Sequence, residues 1–306
     1  MSITETVPVI PYIDAHTHMH VLPWDEWERL GMCGMRAAVL SAGTPYARPV
    51  VLTAVPGPDD IQRAWDEAIR LAREAPATHF FHLFVAVGIS HATRVRDWES
   101  LLDRMADPLR DPLVVAVGEM GLDPFQVFEM SWSLEEQSEV LRGQLEVAKA
   151  LDKPFILHTP SPKKRALVSK GGTALPADVK RHCLHRSLAV IEAVGFDQER
   201  LVVDHCDEET LAFVLAETSA HAGISIGVAL RDLTPRAVAR MVEAHGPDRI
   251  LLNSDLVGYT AYDLLALPAT FREMRRLGLP DSTIHRVAFE NARAFYGLPL
   301  PVSKSG

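Results

Sequence analysis

Short apolar runs rich in Val, Ile and Leu recur along this chain, each followed by a stretch of helical length and amphipathic pattern. Eight runs read as strands: 9–16, 36–43, 82–89, 113–120, 154–158, 200–205, 222–228 and 249–255. Between most of them lie helical patterns, among them 59–74, 133–151, 207–218, 234–245 and 262–277, and a last one spans 281–296. Strands that alternate with helices form a parallel sheet covered by helices, because a parallel connection needs a long crossover. Eight such units in 306 residues fit a (β/α)8 TIM barrel with an extra C-terminal helix, as a single domain over 1–306. A doubly wound open sheet is the alternative. It calls for a Gly-rich turn after the first strand, and "DAHTHMHVLP" has none.

A barrel of this kind gathers its chemistry at the C-terminal ends of the strands. The first strand ends in His16 and His18, within "PYIDAHTHMH". The fourth delivers Glu119 in "VGEMGLD", and the fifth His158 in "FILHTP". The sixth ends in His205 of "VVDHC", and the eighth in Asp255 of "LLNSD". Five separate strands therefore aim four imidazoles and two carboxylates at one rim. A lone strand-end histidine or aspartate is ordinarily a core or turn residue, whereas six converging on one rim point to a metal centre. This mixed N/O donor set suits zinc first, with manganese or magnesium also admissible.

Six ligands exceed one tetrahedral ion, so two divalent metal ions are expected. Glu119 would bridge them, with His16, His18 and Asp255 on one ion and His158 and His205 on the other. Two close cations acidify a shared water, and Asp255 beside it could take the proton and pass it to a leaving group.

The residues "DAHTH" (14–18), "VGEMGLD" (117–123), the 135–160 stretch with Gln137 and Gln144, "VVDHC" (202–206), "SIGV" (225–228), "NSD" (253–255) and "FENARAFYGL" (289–298) together resemble the TatD-like metal-dependent hydrolases of the amidohydrolase superfamily. The resemblance covers essentially the whole chain. It implies a TIM barrel whose metal ligands fall on His16, His18, Glu119, His158, His205 and Asp255, the six residues that strand ends select. Many other superfamily members bridge their metals with a carboxylated lysine at the fourth strand; here Glu119 stands there. The departures concern substrate. The usual "GxHP" reads "GISHA", which displaces His91; "HxR" reads "HTPSPKKR"; and "LLNSDLVGY" lacks an acid shortly before Asp255.

Further candidates surround this set. Asp14 shares the parity of His16 and could hold a ligand ring in one tautomer, or simply bond backbone at the strand end. Lys163, Lys164, Arg165 and Lys170 follow the fifth strand and Arg231 the seventh; Lys163, Lys164 and Arg231 are the candidate contacts to an anionic group, with His91 beside them. A solvated loop of the same composition is the alternative reading for the lysines. Trp24 and Trp27 could roof the pocket or bury the face of a helix.

Bulk properties narrow the partners. The formal charge of −9 argues against a broad nucleic-acid surface and leaves a small-molecule or phosphoester substrate. No apolar run reaches membrane-spanning length, and the N-terminus lacks the pattern of a secretion signal. Three cysteines without CxxC spacing suit a reducing cytoplasm. The expected activity is metal-dependent hydrolysis of a phosphoester, by a phosphodiesterase or nuclease-like enzyme. An amidohydrolase or lactonase on the same barrel, or a non-catalytic metal-binding barrel, are the rivals.

Overall fold

The computed structural model describes residues 9–43, 55–124, 132–161, 178–228, 233–257 and 261–301. Lys163, Lys164, Arg165, Lys170 and Arg231 lie outside them.

The eight strands are β1 (Tyr12–Thr17), β2 (Met35–Ser41), β3 (His82–Val87), β4 (Val114–Gly121), β5 (Phe155–His158), β6 (Leu201–Val203), β7 (His221–Ser225) and β8 (Ile250–Asn253). They pair in parallel in sequence order. Closure between β8 and β1 comes from two backbone bonds: Asp255 N donates to His16 O and His18 N to Leu256 O, both at 3.1 Å. The helices that follow are α1 (Trp24–Met32), α2 (Pro58–Thr78), α3 (Glu99–Met105), α4 (Leu134–Ala150), α5 (Val179–Val194), α6 (Glu208–Glu217), α7 (Pro235–His245) and α8 (Ala266–Arg276). This is the expected (β/α)8 barrel with its C-terminal helix. That helix starts as Asp281–His285, widens into a π stretch over Arg286–Glu290 and ends as Asn291–Tyr296.

Two apolar layers follow from the pleat. Ile13, Ala15, Val39, Phe84, Ile156, Val202 and Leu251 fill the barrel, whose floor is sealed by Phe289, Phe295 and Leu298 of the C-terminal segment. The alternate residues, such as Tyr12, Leu40, Val85 and Leu252, pack outward against the helices. Tyr296 is buried and donates to Ala15 O at 2.9 Å, tying the floor to β1. Each large side chain so buried contributes roughly 1.5–3 kcal/mol. No helix among the described residues is long and apolar enough to cross a membrane.

The pleat also corrects one expectation. Inward parity on β1 belongs to Ile13 and Ala15, not to Asp14, and the register shifts between Asp14 and Thr17. That irregularity lets His16 and His18 reach the mouth while Asp14 turns to the β1–β8 seam. Trp24 and Trp27 stack on each other at 5.7 Å and meet the His79 ring at the end of α2 in tilted contacts, which is helix packing rather than a pocket roof.

At the start of β7 the His221 ring lies 4.6 Å from Phe295, and its buried Nδ1 has no hydrogen-bond partner. Burial, and then the Arg249 cation, push this imidazole down to about 4 from 6.5. The folded protein holds it neutral, so as pH falls the unfolded chain takes up the proton first. This contribution to stability is therefore complete above about 6.5 and is lost as pH falls toward about 4. Urea midpoints measured across that window are expected to decline less in His221→Gln than in the parent.

Candidate metal centre

The six strand-end residues meet in one buried cluster at the barrel mouth. Glu119 stands at its centre, and its two carboxylate oxygens face opposite ways. Oε1 lies 3.1 Å from His18 Nε2 and 3.6 Å from His16 Nε2. Oε2 lies 2.9 Å from His158 Nδ1 and 3.1 Å from His205 Nε2. His16 Nε2 is 3.2 Å from His18 Nε2, and His205 Nε2 is 3.0 Å from His158 Nδ1. Asp255 reaches between the halves, with Oδ1 3.7 Å from His18 Nε2 and Oδ2 3.8 Å from His205 Nδ1. Donor atoms about 3 Å apart match the edges of a coordination shell with bonds of roughly 2.0–2.2 Å. The donor set thus fits divalent cations in both halves.

Backbone chemistry places these side chains. Gly118, at φ +129°, precedes Glu119, and a Cβ there would lie 2.7 Å from Ile156 O. Only glycine lets β4 approach β5 so closely while turning Glu119 into the mouth. His205 and Asp255 sit just past their strands in the left-handed region, with φ of 63° and 48°. Such strain at non-glycine residues persists only where surroundings enforce it. For His205 the buried Lys180 ammonium does so, donating to His205 O at 2.6 Å and to Pro160 O at 3.1 Å. For Asp255 the clamp is its own N–H on His16 O.

His16, His205 and His158 are each oriented from behind through the outer ring nitrogen. His16 Nδ1 donates to Asp204 Oδ2 at 2.5 Å, and His205 Nδ1 lies 2.7 Å from Ser225 Oγ. His158 Nε2 donates to Asp123 Oδ2 at 3.1 Å. Such acceptors fix the ring tautomer and raise ligand basicity. Asp204 is itself fully engaged: Oδ1 accepts from His205 N at 2.9 Å and Asn253 Nδ2 at 2.7 Å. Gly223 makes room for it, since a Cβ there would lie 2.2 Å from Asp204 Oδ1. Asp14 does not hold a ring. It accepts from Ser254 N at 2.8 Å and from the Ser254 hydroxyl, which pins the loop leading to Asp255.

Electrostatics reflect this crowding. Burial by itself would lower the His16 imidazole, but Glu119, Asp204 and Asp255 together carry it up to about 10. Burial opposes ionisation of Glu119, yet His16 and His158 hold its carboxyl well below the usual range. Burial likewise opposes the charge on Asp204, which His205 and His16 outweigh, keeping it low. Burial raises Asp14 to about 7, against its bonds from Ser254. His91, stacked on His158 with centroids 3.6 Å apart, is pushed down to about 3 by burial and by the neighbouring His158.

Residues 13–297 match the family model described as TatD related DNase. The chain belongs to the TatD family. It is 26% identical over 287 residues to an uncharacterised metal-dependent hydrolase of Methanocaldococcus jannaschii, covering 94% of this chain and all of that one. A TatD-like protein of Archaeoglobus fulgidus has the same fold, with a TM-score of 0.67 and 26% identity over 94% of this chain and all of that chain. A human 3'-5' RNA nuclease is 34% identical over 95 residues, which is 31% of this chain and 12% of the human protein. This TatD-family chain is a metal-dependent hydrolase by that membership.

Sequence reasoning passed over Asp204, Asp123 and Ser225. All three nevertheless fall inside motifs that carry the family resemblance: Asp204 in "VVDHC", Asp123 in "VGEMGLD" and Ser225 in "SIGV". An acid in or just after an apolar strand, next to a ligand-bearing segment, is the signal that could have found the two aspartates. His91 does reach the site, against His158, and its Nε2 lies 4.0 Å from Asp123 Oδ2. His20 falls in the short turn Met19–Val21, 6.3 Å from His18 between ring centroids.

Proposed function

We propose that this TatD-family protein hydrolyses phosphodiesters with the help of two divalent cations, zinc first among them and manganese or magnesium as alternatives. The observation that carries the pairing is the division of Glu119, one oxygen toward His16 and His18 and the other toward His158 and His205. When bound, such a cation pair makes water nucleophilic near neutral pH and polarises the bond to be broken. Asp255, whose two oxygens face both halves, accepts the proton of the attacking water and returns it to the leaving oxygen. His91 offers a neutral ring at the rim for substrate. Lys163, Lys164 and Arg231, which follow β5 and β7 in sequence, supply the cationic groups for a phosphate.

A phosphodiester is favoured over an amide or lactone by the nuclease relatives and by those cations. With a net charge of −9, recognition is confined to a few phosphates at the mouth, as suits the end of a single strand rather than a long duplex. The three thiols form no disulfide, in keeping with a reducing cytoplasm.

The test is a panel of chromogenic phosphodiesters, short end-labelled DNA and RNA strands, lactones and amides, run with zinc- and manganese-loaded protein. Phosphodiester cleavage is the expected result; turnover of lactones or amides alone overturns the assignment. Chelation is expected to abolish turnover and to lower Tm by on the order of 5 °C, because ions held at about a hundred times Kd stabilise the fold by roughly 2.7 kcal/mol. A metal content below about a tenth of an equivalent with an unchanged Tm would instead indicate a non-catalytic barrel.

A further inference from the structure

Gln137 and Gln144 lie two turns apart on α4, fully buried, and each grips one residue of a different strand-end loop with both ends of its amide. Gln144 Oε1 accepts from Ile89 N at 2.7 Å, and its Nε2 donates to Ile89 O at 3.0 Å. Gln137 Oε1 accepts from Asp123 N at 2.7 Å, and its Nε2 donates to Asp123 O at 2.8 Å. Asp123 lies two residues past the end of β4, beyond the reach of the sheet ladder. Its main-chain polar groups are instead satisfied as if Gln137 were the adjoining strand. The carboxylate thus anchored accepts from His158 Nε2, which leaves Nδ1 pointing at Glu119 Oε2.

We propose that Gln137 is a positioning residue that acts through Asp123 to fix the ring of His158, and so sets the cation affinity of the His158–His205 half without setting that of the His16–His18–Asp255 half. The inference rests on the two-cation reading above. The asymmetry follows from the connections. The opposite half takes its orientation from Asp204, which is held by Asn253, Ser225 and the backbone of His205, and no residue of α4 hydrogen-bonds to Asp204. Gln144 is the internal comparison. It is equally buried and makes the same two kinds of bond on the same helix, but the residue it holds carries no side-chain bond to a ligand. His91, two residues beyond Ile89, meets His158 only face to face, and a stacked ring does not select a tautomer.

Stepwise zinc binding, measured by competition with a chromophoric chelator, tests this on the full chain. His18→Ala and His205→Ala first assign the two binding steps to the two halves. Gln137→Met is then expected to weaken the His205-assigned step by about 10- to 100-fold, the usual effect of losing a ligand's outer partner, and to leave the His18-assigned step within about threefold. Asp123→Asn should weaken the same step. Gln137→Glu, which keeps the acceptor for Asp123 N and loses the donor to Asp123 O, should fall between Gln137→Met and the parent. Gln144→Met should leave both steps within about threefold. In zinc-loaded protein the downfield His158 Nε2–H proton resonance should shift in Gln137→Met and Asp123→Asn but not in Gln144→Met. The inference is overturned if Gln137→Met binds both ions like the parent, if it weakens both steps equally, or if Gln144→Met weakens the His205-assigned step as much. Failure of the parent chain to bind a second ion would overturn the two-cation reading itself, a separate result visible before any glutamine variant is made.

Discussion

Replacing Glu119 with Gln is expected to cost at least about a thousandfold in kcat/KM and to leave fewer than two ions per chain. The amide keeps the shape of the carboxylate but loses its charge, and it sets an NH2 group against one pair of imidazole nitrogens that now face an acceptor. Whichever way the amide turns, either the His16–His18 side or the His158–His205 side confronts a donor. Electrophilic stabilisation by a bound cation is worth several kcal/mol, and each 1.4 kcal/mol is tenfold in rate, so losing one ion accounts for the drop. Metal analysis of the purified variant beside its kinetics gives the check. A variant that kept two ions and most of its rate would remove Glu119 from the centre of the mechanism. Glu119→Asp, which keeps the charge but withdraws it by one methylene, should also fail to serve both halves.

Asp255→Asn is the second large effect, expected at about 10²- to 10⁴-fold in kcat, the range for loss of a positioned proton acceptor. The backbone contact from Asp255 N to His16 O survives this change, so the fold should hold. The cation affinity of the Glu119–His158–His205 group should also hold, since Asp255 lies outside it. The role assigned to Asp255 further predicts a leaving-group dependence. A nitrophenolate departs without a proton, whereas the alkoxide of a nucleotide diester needs one, so the loss should be greater with the nucleotide. Equal losses on both substrates would confine Asp255 to holding a cation.

Much of this architecture was legible from pattern. The alternation of buried parallel strands with helices is written in the composition of each segment, since a strand covered on both faces must be apolar throughout. Strand ends were placed to within a few residues, and the barrel topology then carried His16, His18, Glu119, His158, His205 and Asp255 to one rim. Less legible were α1, α3 and α5, which the amphipathic pattern did not single out, and the parity of β1. Asp14 fails as a ring partner because a register shift follows it, and period-two reasoning has no access to a local irregularity. His205 and Asp255 lie outside their strands as well, in left-handed backbone.

Sequence by itself determined the strand–helix alternation, the barrel class and the six strand-end residues that meet at the rim, because these depend on periodicity and on which side chain ends each strand. Only tertiary structure decided which acceptor stands behind which ring: Asp204 behind His16, Ser225 behind His205 and Asp123, held by Gln137, behind His158. Those partners come from strands and loops far apart in the chain. Their selection depends on register and on close approach at Gly118 and Gly223, where three-dimensional contact rather than local propensity sets the outcome.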